Sequence, residues 1–136
     1  MIFPSAHIAR PAIALLACSA LLAGCVTYNV RNGGIVHADI GQRVHVDGPH
    51  VTPLAVLEDS RCPKGVQCVW AGQVRISARV ELKGGDDQRE LELTLGKPLQ
   101  IADGSLELVE VEPEAVASRT IYPEEYRFGF RFQGGL

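Results

Sequence analysis

Val74-Arg75-Ile76-Ser77-Ala78-Arg79-Val80-Glu81-Leu82 sets an apolar side chain at every even position and a polar one at every odd position. Side chains of a strand point alternately to its two faces, so this stretch reads as a strand with one face in a core and the other toward water. Just downstream, Gly84-Gly85-Asp86-Asp87 supplies a polar turn. The return stretch then points Leu91, Leu93 and Leu95 inward and Glu90, Glu92 and Thr94 outward. Together they predict a hairpin.

The same period governs what lies on either side. Tyr126, Phe128, Phe130 and Phe132 alternate with Arg127, Gly129, Arg131 and Gln133, which gathers three of the four phenylalanines on one strand and predicts a central place for it in the core. Leu99, Ile101, the turn Asp103-Gly104, Leu106 and Leu108 keep the period, but Val109 and Val111 fall out of phase. One inserted residue, a β-bulge, moves every later side chain to the opposite face. Upstream, Val44 and Val46 flank His45 in a short strand. Residues 51–57 form another, which Pro53 assigns to an edge or starts after the proline. Residues 114–119 are the one helix candidate, a turn or two long. The expectation is all-β: a single antiparallel β-sandwich, immunoglobulin-like or otherwise, or a small barrel, of seven or eight strands.

The N-terminus reads as an address. Arg10 precedes an apolar run over residues 12–22, too short for a spanning helix, which needs about twenty such residues, and suited to a secretory signal. The run ends in Leu22-Ala23-Gly24-Cys25. This resembles the lipobox of bacterial lipoprotein precursors. The resemblance implies removal of residues 1–24, diacylglycerol on Cys25, and, with Val26 rather than an acidic residue following, delivery to the outer membrane with the domain in the periplasm. Acyl chains at about 0.8 kcal/mol per buried CH₂ hold a soluble domain at a membrane without any spanning helix. Residues 25–34 are then a tether, broken by Asn32-Gly33-Gly34, and residues 35–136 a single β-domain. What remains is about 110 residues, one domain's worth. Thirteen Lys and Arg against sixteen Asp and Glu give a net charge of −3, which offers nothing to nucleic acid.

Of four cysteines, Cys18 leaves with the signal and Cys25 takes lipid, so Cys62 and Cys68 are the pair within the domain. An oxidising compartment joins them, and closing so short a loop is worth about 2 kcal/mol. The alternatives are a metal site completed by two of His37, His45 and His50, or a redox dithiol. Five residues between the cysteines is wider than usual metal-ligand spacing, and the segment lacks the C-x-x-C of a redox pair. No metal and no cofactor are therefore expected.

The cysteines belong to a segment that interrupts the alternation: Asp59-Ser60-Arg61-Cys62-Pro63-Lys64-Gly65-Val66-Gln67-Cys68-Val69-Trp70-Ala71-Gly72. Its Asp-Ser-Arg-Cys-Pro and Cys-Val-Trp-Ala-Gly portions, preceding a long alternating strand, resemble those of small bacterial envelope β-proteins. Pro123-Glu124-Glu125-Tyr126 before the last strand adds to the likeness, which implies location and fold but no activity. Pro63 restricts the loop and Gly65 permits a positive φ at its tip, while Arg61 has Asp59 or Glu58 for a partner. Three roles are open. Trp70, the single tryptophan, is the core anchor packed on the disulfide, as in immunoglobulin domains. The tip, Pro63, Lys64, Gly65, Val66 and Gln67, is a rigid recognition surface presenting Lys64. Or a ligand pocket lies between Trp70 and the cluster Tyr122, Tyr126 and Phe128.

Catalytic patterns are missing: no G-x-S-x-G, P-loop, G-x-G-x-x-G after a strand, or H-E-x-x-H occurs. Ser60 has no identifiable base. The acidic pairs Asp86-Asp87, Glu124-Glu125 and Glu110 with Glu112 read as solvated surface, as do His37, His45 and His50. Arg75, Arg79, Arg127 and Arg131 lie on outward faces, where Glu90 and Glu92 can pair with neighbouring strands. The function expected is non-enzymatic: a lipid-anchored binding or structural module with an envelope protein partner. The alternatives are an inhibitor of a secreted hydrolase acting through the stapled loop, whose stiffness lowers the ordering cost of binding, and an enzyme of unfamiliar type.

Overall fold

The computed structural model describes residues 34–102 and 104–134. The signal, Cys25 and the tether up to Gly33 lie outside the described residues, as does Asp103 of the turn. Among the described residues eight strands form two antiparallel sheets: β1 (Val36–Asp39), β2 (Val44–His45), β3 (His50–Asp59), β4 (Val74–Leu82), β5 (Asp87–Thr94), β6 (Leu99–Ile101), β7 (Gly104–Glu112) and β8 (Arg127–Gly134). One sheet has the order β2-β3-β4-β5 and the other β1-β8-β7-β6. They do not close into a barrel, so the sandwich alternative holds.

The core forms where the alternation places it. Val74, Ile76, Ala78 and Val80 of β4 face Phe128 and Phe130 of β8 and Leu106 and Leu108 of β7 within one buried cluster. β8 lies between β1 and β7, the central position expected of the aromatic strand. The β4–β5 hairpin turns through a short 3₁₀ segment at Lys83–Gly85, and the β7–β8 register slips between Leu108 and Glu110, the bulge implied by the phase change. The outward face of β4 is less solvated than its polar residues suggest. Ser77 and Glu81 are nearly buried, covered by bonds to Glu90 at 2.6 Å and to Arg43 at 2.7 Å.

Pro53 departs from expectation. β3 runs through it without interruption, with β2 on one side and β4 on the other. The Pro53 carbonyl accepts from the Gly41 N–H at 2.8 Å, on the side away from β4. A strand residue's nitrogen and carbonyl point the same way, so the N–H that proline lacks would not have joined the β4 ladder. β2 pairs only with His50 and Val51, and a register shift follows at once between Pro53 and Ala55. A bulge absorbs the proline.

The topology gives the sandwich two distinct poles. The segment between β3 and β4 caps one of them, close to the start of β8, where Tyr126 reaches Asp59. β1 is antiparallel to β8 with Val36 opposite Phe130 and Asp39 opposite Arg127. Gly34, where the described chain begins, therefore lies toward the Gly134 end of β8, away from that loop.

Candidate functional site

The segment at residues 60–73 is built from its base upward. Ser60 donates its N–H to the Gln73 carbonyl at 2.9 Å and Cys62 to that of Ala71 at 3.3 Å, which prolongs the β3–β4 ladder beyond its regular end. The Ser60 hydroxyl, the candidate nucleophile, is taken up in this base: it accepts from the Gln73 N–H at 3.0 Å and donates to Glu58 at 3.0 Å. Gly72 is required here. Its φ is +71°, and a Cβ would stand 1.7 Å from the Ser60 carbonyl oxygen. Above this base the Cys62–Cys68 disulfide closes the loop across a Cα separation of 5.9 Å, and Gly65 takes its expected positive φ of +81° at the tip.

The tip does not stand free. The Lys64 N–H donates to the Ala115 carbonyl at 2.8 Å, Lys64 forms a parallel bridge with Val116, and its ammonium meets Glu114 at 3.1 Å in the open. Residues 113–122, which contain the helix candidate 114–119, are instead an irregular strap that clasps the loop from the β7–β8 connection. Between strap and loop lies a cleft of about 350 Å³, lined by Pro63, Ala115, Val116, Ala117, Ile121 and others, with Asp59, Arg61 and Tyr126 at its floor.

That floor ties the two sheets together. Asp59 accepts from Arg61 Nε at 2.8 Å, Arg61 Nη2 at 2.7 Å and the Tyr126 hydroxyl at 2.9 Å. Arg61 Nη1 continues to the Val111 carbonyl at 3.0 Å, on the opposite sheet. The Arg61 and Asp59 side chains are 16% and 12% exposed, so the pair is shielded enough for its geometry to count. Burial opposes ionisation of Asp59, but the hydrogen bonds from Arg61 and Tyr126 outweigh it and hold the carboxyl below its usual range. Arg61 is raised by its bond to Asp59. Burial, then donation to the carboxylate, pushes the Tyr126 phenol up to about 12.

The aromatic side chains correct the sequence reading. Trp70 is not the core anchor: it is 82% exposed, and neighbouring Val69 is 90% exposed. The anchoring role falls to Tyr126, which is buried and stacked on Phe128 with ring centroids 5.8 Å apart. The mostly shielded Asp59–Arg61 pair, and not the indole, lies at the base of the loop. Nor is the cleft the pocket expected between Trp70 and Tyr122, Tyr126 and Phe128. The cleft is lined by Tyr126 alone of the four, and Tyr122 is 59% exposed. Among the described residues, Val66, Val69, Trp70, Val116 and Tyr122 are five of the six large exposed apolar side chains, all on the loop or the strap. Leu57 on β3 is the sixth.

Other candidates lie elsewhere. His37 bonds Glu110 at 2.7 Å between β1 and β7, and His45 and His50 meet edge to face, 5.0 Å between centroids, at the β2–β3 turn. Among the described residues no three His, Cys, Asp or Glu side chains form a group able to hold a metal. Arg75 bridges Glu58 at 2.7 Å and Glu92 at 2.5 Å, and Arg131 pairs with Glu107 at 2.8 Å. Arg75 and Arg131 thus serve cross-strand pairing. Sequence reasoning missed the strap, whose docking to Lys64 is a contact over 50 residues with no periodic signal. No protein-family model, curated protein or solved structure matches the chain.

Proposed function

We propose that the chain is a lipid-anchored, non-enzymatic envelope protein whose stapled β-domain binds a partner protein through the outer face of the 62–72 loop. The observation that carries this reading is the exposure of Trp70 beside Val69 on a loop fixed by a disulfide, two base hydrogen bonds and a clasp to Ala115. An exposed tryptophan is an unfavourable surface for a free protein, and a rigid one gives large contact area at little ordering cost, as in the residues that dominate interface energies. The placement of the loop away from Gly34 supports the same reading, because an N-terminal acyl anchor leaves that pole directed away from its own membrane. Lys64, held by Glu114 and by its backbone, is the edge of this surface rather than its centre.

The test is in-cell photocrosslinking with the probe at Val69 and, separately, at exposed Arg79 on β4 as control. A discrete protein adduct at Val69 alone identifies the partner, and a hydrolase as that partner turns the module into its inhibitor. Equal adducts at both positions, or none at Val69, remove the reading. Membrane attachment is tested separately: Cys25→Ser releases the protein from the membrane fraction if the anchor is acyl, whereas unchanged mass and fractionation refute it.

A further inference from the structure

The cleft beneath the strap has a hydrogen-bonding capacity that is one-sided. An ionised carboxylate has about four acceptor positions, and Asp59 uses its own on Arg61 Nε, Arg61 Nη2, the Arg61 backbone N–H at 3.4 Å and the Tyr126 hydroxyl. The acid therefore has nothing left to offer a guest. A guanidinium carries five N–H donors, and Arg61 spends three of them, on the two Asp59 oxygens and the Val111 carbonyl. Arg119 also lines the cleft, and among the described residues only its Nη2 is engaged, by Glu125. What remains unspent on the charged groups is donor capacity, on cationic nitrogens.

The walls select for the rest of the guest. Pro63, Ala115, Ala117 and Ile121 present short aliphatic surfaces around a volume of about 350 Å³, at the lower end of small-ligand sites. Both margins are secured, one by the Lys64 N–H to Ala115 and the other by the Tyr122 N–H to Glu125 at 2.8 Å. The cleft is thus a standing feature of the fold rather than a gap between unconnected loops.

We infer that this cleft is a binding site for a carboxylate attached to a short aliphatic group, the carboxylate meeting the free N–H groups of Arg119 and Arg61 and the aliphatic part lying against Ala115, Ala117 and Ile121. That chemistry belongs to the free C-terminus of a peptide ending in a small residue and to a short branched-chain acid. It is a site distinct from the Trp70 face, and it does not depend on that face having a partner.

The test is a chemical-shift titration of the isotope-labelled full chain with its disulfide intact, using acetyl-Ala-Ala, acetyl-Ala-Ala-amide and isobutyrate. The expected result is saturable shifts confined to the cleft residues 59–63, 115–121 and Tyr126 with one or both acids, and none with the amide. Tighter binding of acetyl-Ala-Ala identifies a peptide terminus, and tighter binding of isobutyrate a free acid. Arg119→Gln weakens binding about tenfold, the loss of a charge-assisted hydrogen bond. Ala117→Leu, at an exposed position, fills the cleft and abolishes binding while leaving the remaining spectrum unchanged. Equal binding of the amide, scattered or absent shifts, or an unaltered affinity in Arg119→Gln each overturns the inference. Loss of the Val69 crosslink would not touch it, and its failure would leave that crosslink standing.

Discussion

Replacing Trp70 by Ala separates a surface role from a core role by magnitude alone. A tryptophan carries up to about 250 Å² of surface, and at 82% exposure less than a fifth of it is shielded from water. At about 25 cal/mol per Å² the loss on truncation is at most about 1 kcal/mol, and less against a realistic unfolded chain. A tryptophan packed on the disulfide would cost about 3 to 5 kcal/mol. Urea unfolding followed by far-ultraviolet circular dichroism reads this difference directly, since the substitution removes the only tryptophan but leaves the sheets. The intact protein, having one indole, also reports by its own emission, which should match that of tryptophan in water and be quenched freely by iodide. In the partner assay the same substitution should lower affinity by 30-fold or more, about 2 kcal/mol, as expected of a central interface residue. A stability loss of 3 kcal/mol with a blue-shifted, protected emission in the parent would refute the reasoning and restore Trp70 to the core.

Tyr126→Phe keeps the ring on Phe128 but removes the donor to Asp59, costing about 1.5 to 2 kcal/mol at pH 7 by denaturant titration. Because Asp59 lies below its usual range, its contribution is complete above the unfolded carboxyl pKa and fades as pH falls through the folded one. The gap between parent and variant should therefore narrow in acid. Tyr126 has the opposite sign: raised to about 12, it favours the fold below pH about 10, and that contribution is lost only as pH climbs through 12. A gap independent of pH would show that the phenol and the carboxylate are not coupled. Gly72→Ala meets the Ser60 carbonyl and should cost more than 2 kcal/mol or prevent folding, visible as loss of the cooperative transition. Cys62→Ala with Cys68→Ala removes about 2 kcal/mol and should increase amide exchange in residues 62–71 while β4 stays protected. Uniform exchange across the domain would contradict that separation.

Strand identity was legible wherever side chains alternate against one core, as in β4, β5 and β8, because a shift of one residue exchanges their two faces. The bulge in β7 showed itself as a change of phase at Leu108. Pro53 misled because the side of the strand on which a proline's nitrogen points depends on register, which the local sequence does not contain. The loop was recognisable as an interruption, but not the direction of Trp70. What occupies the base of the loop is the Asp59–Arg61–Tyr126 contact, in which Tyr126 lies 67 residues from Asp59, and no period or turn signal spans such a distance. The strap was obscured for the same reason: Ala115 and Val116 are placed by Lys64, not by their neighbours.

The pairing of β1 with β8 sets how the domain bears load. If the N-terminal side is held at a membrane and the opposite pole by a partner, the tension enters at Gly34 and runs along β1, parallel to its four paired residues from Val36 to Asp39. Their cross-strand bonds are then strained together, in shear, instead of one after another as in peeling. A strand this short would open readily if lifted from its end, yet it resists a pull along its own axis. Under that loading, the register by which β1 joins β8 would give the domain mechanical endurance.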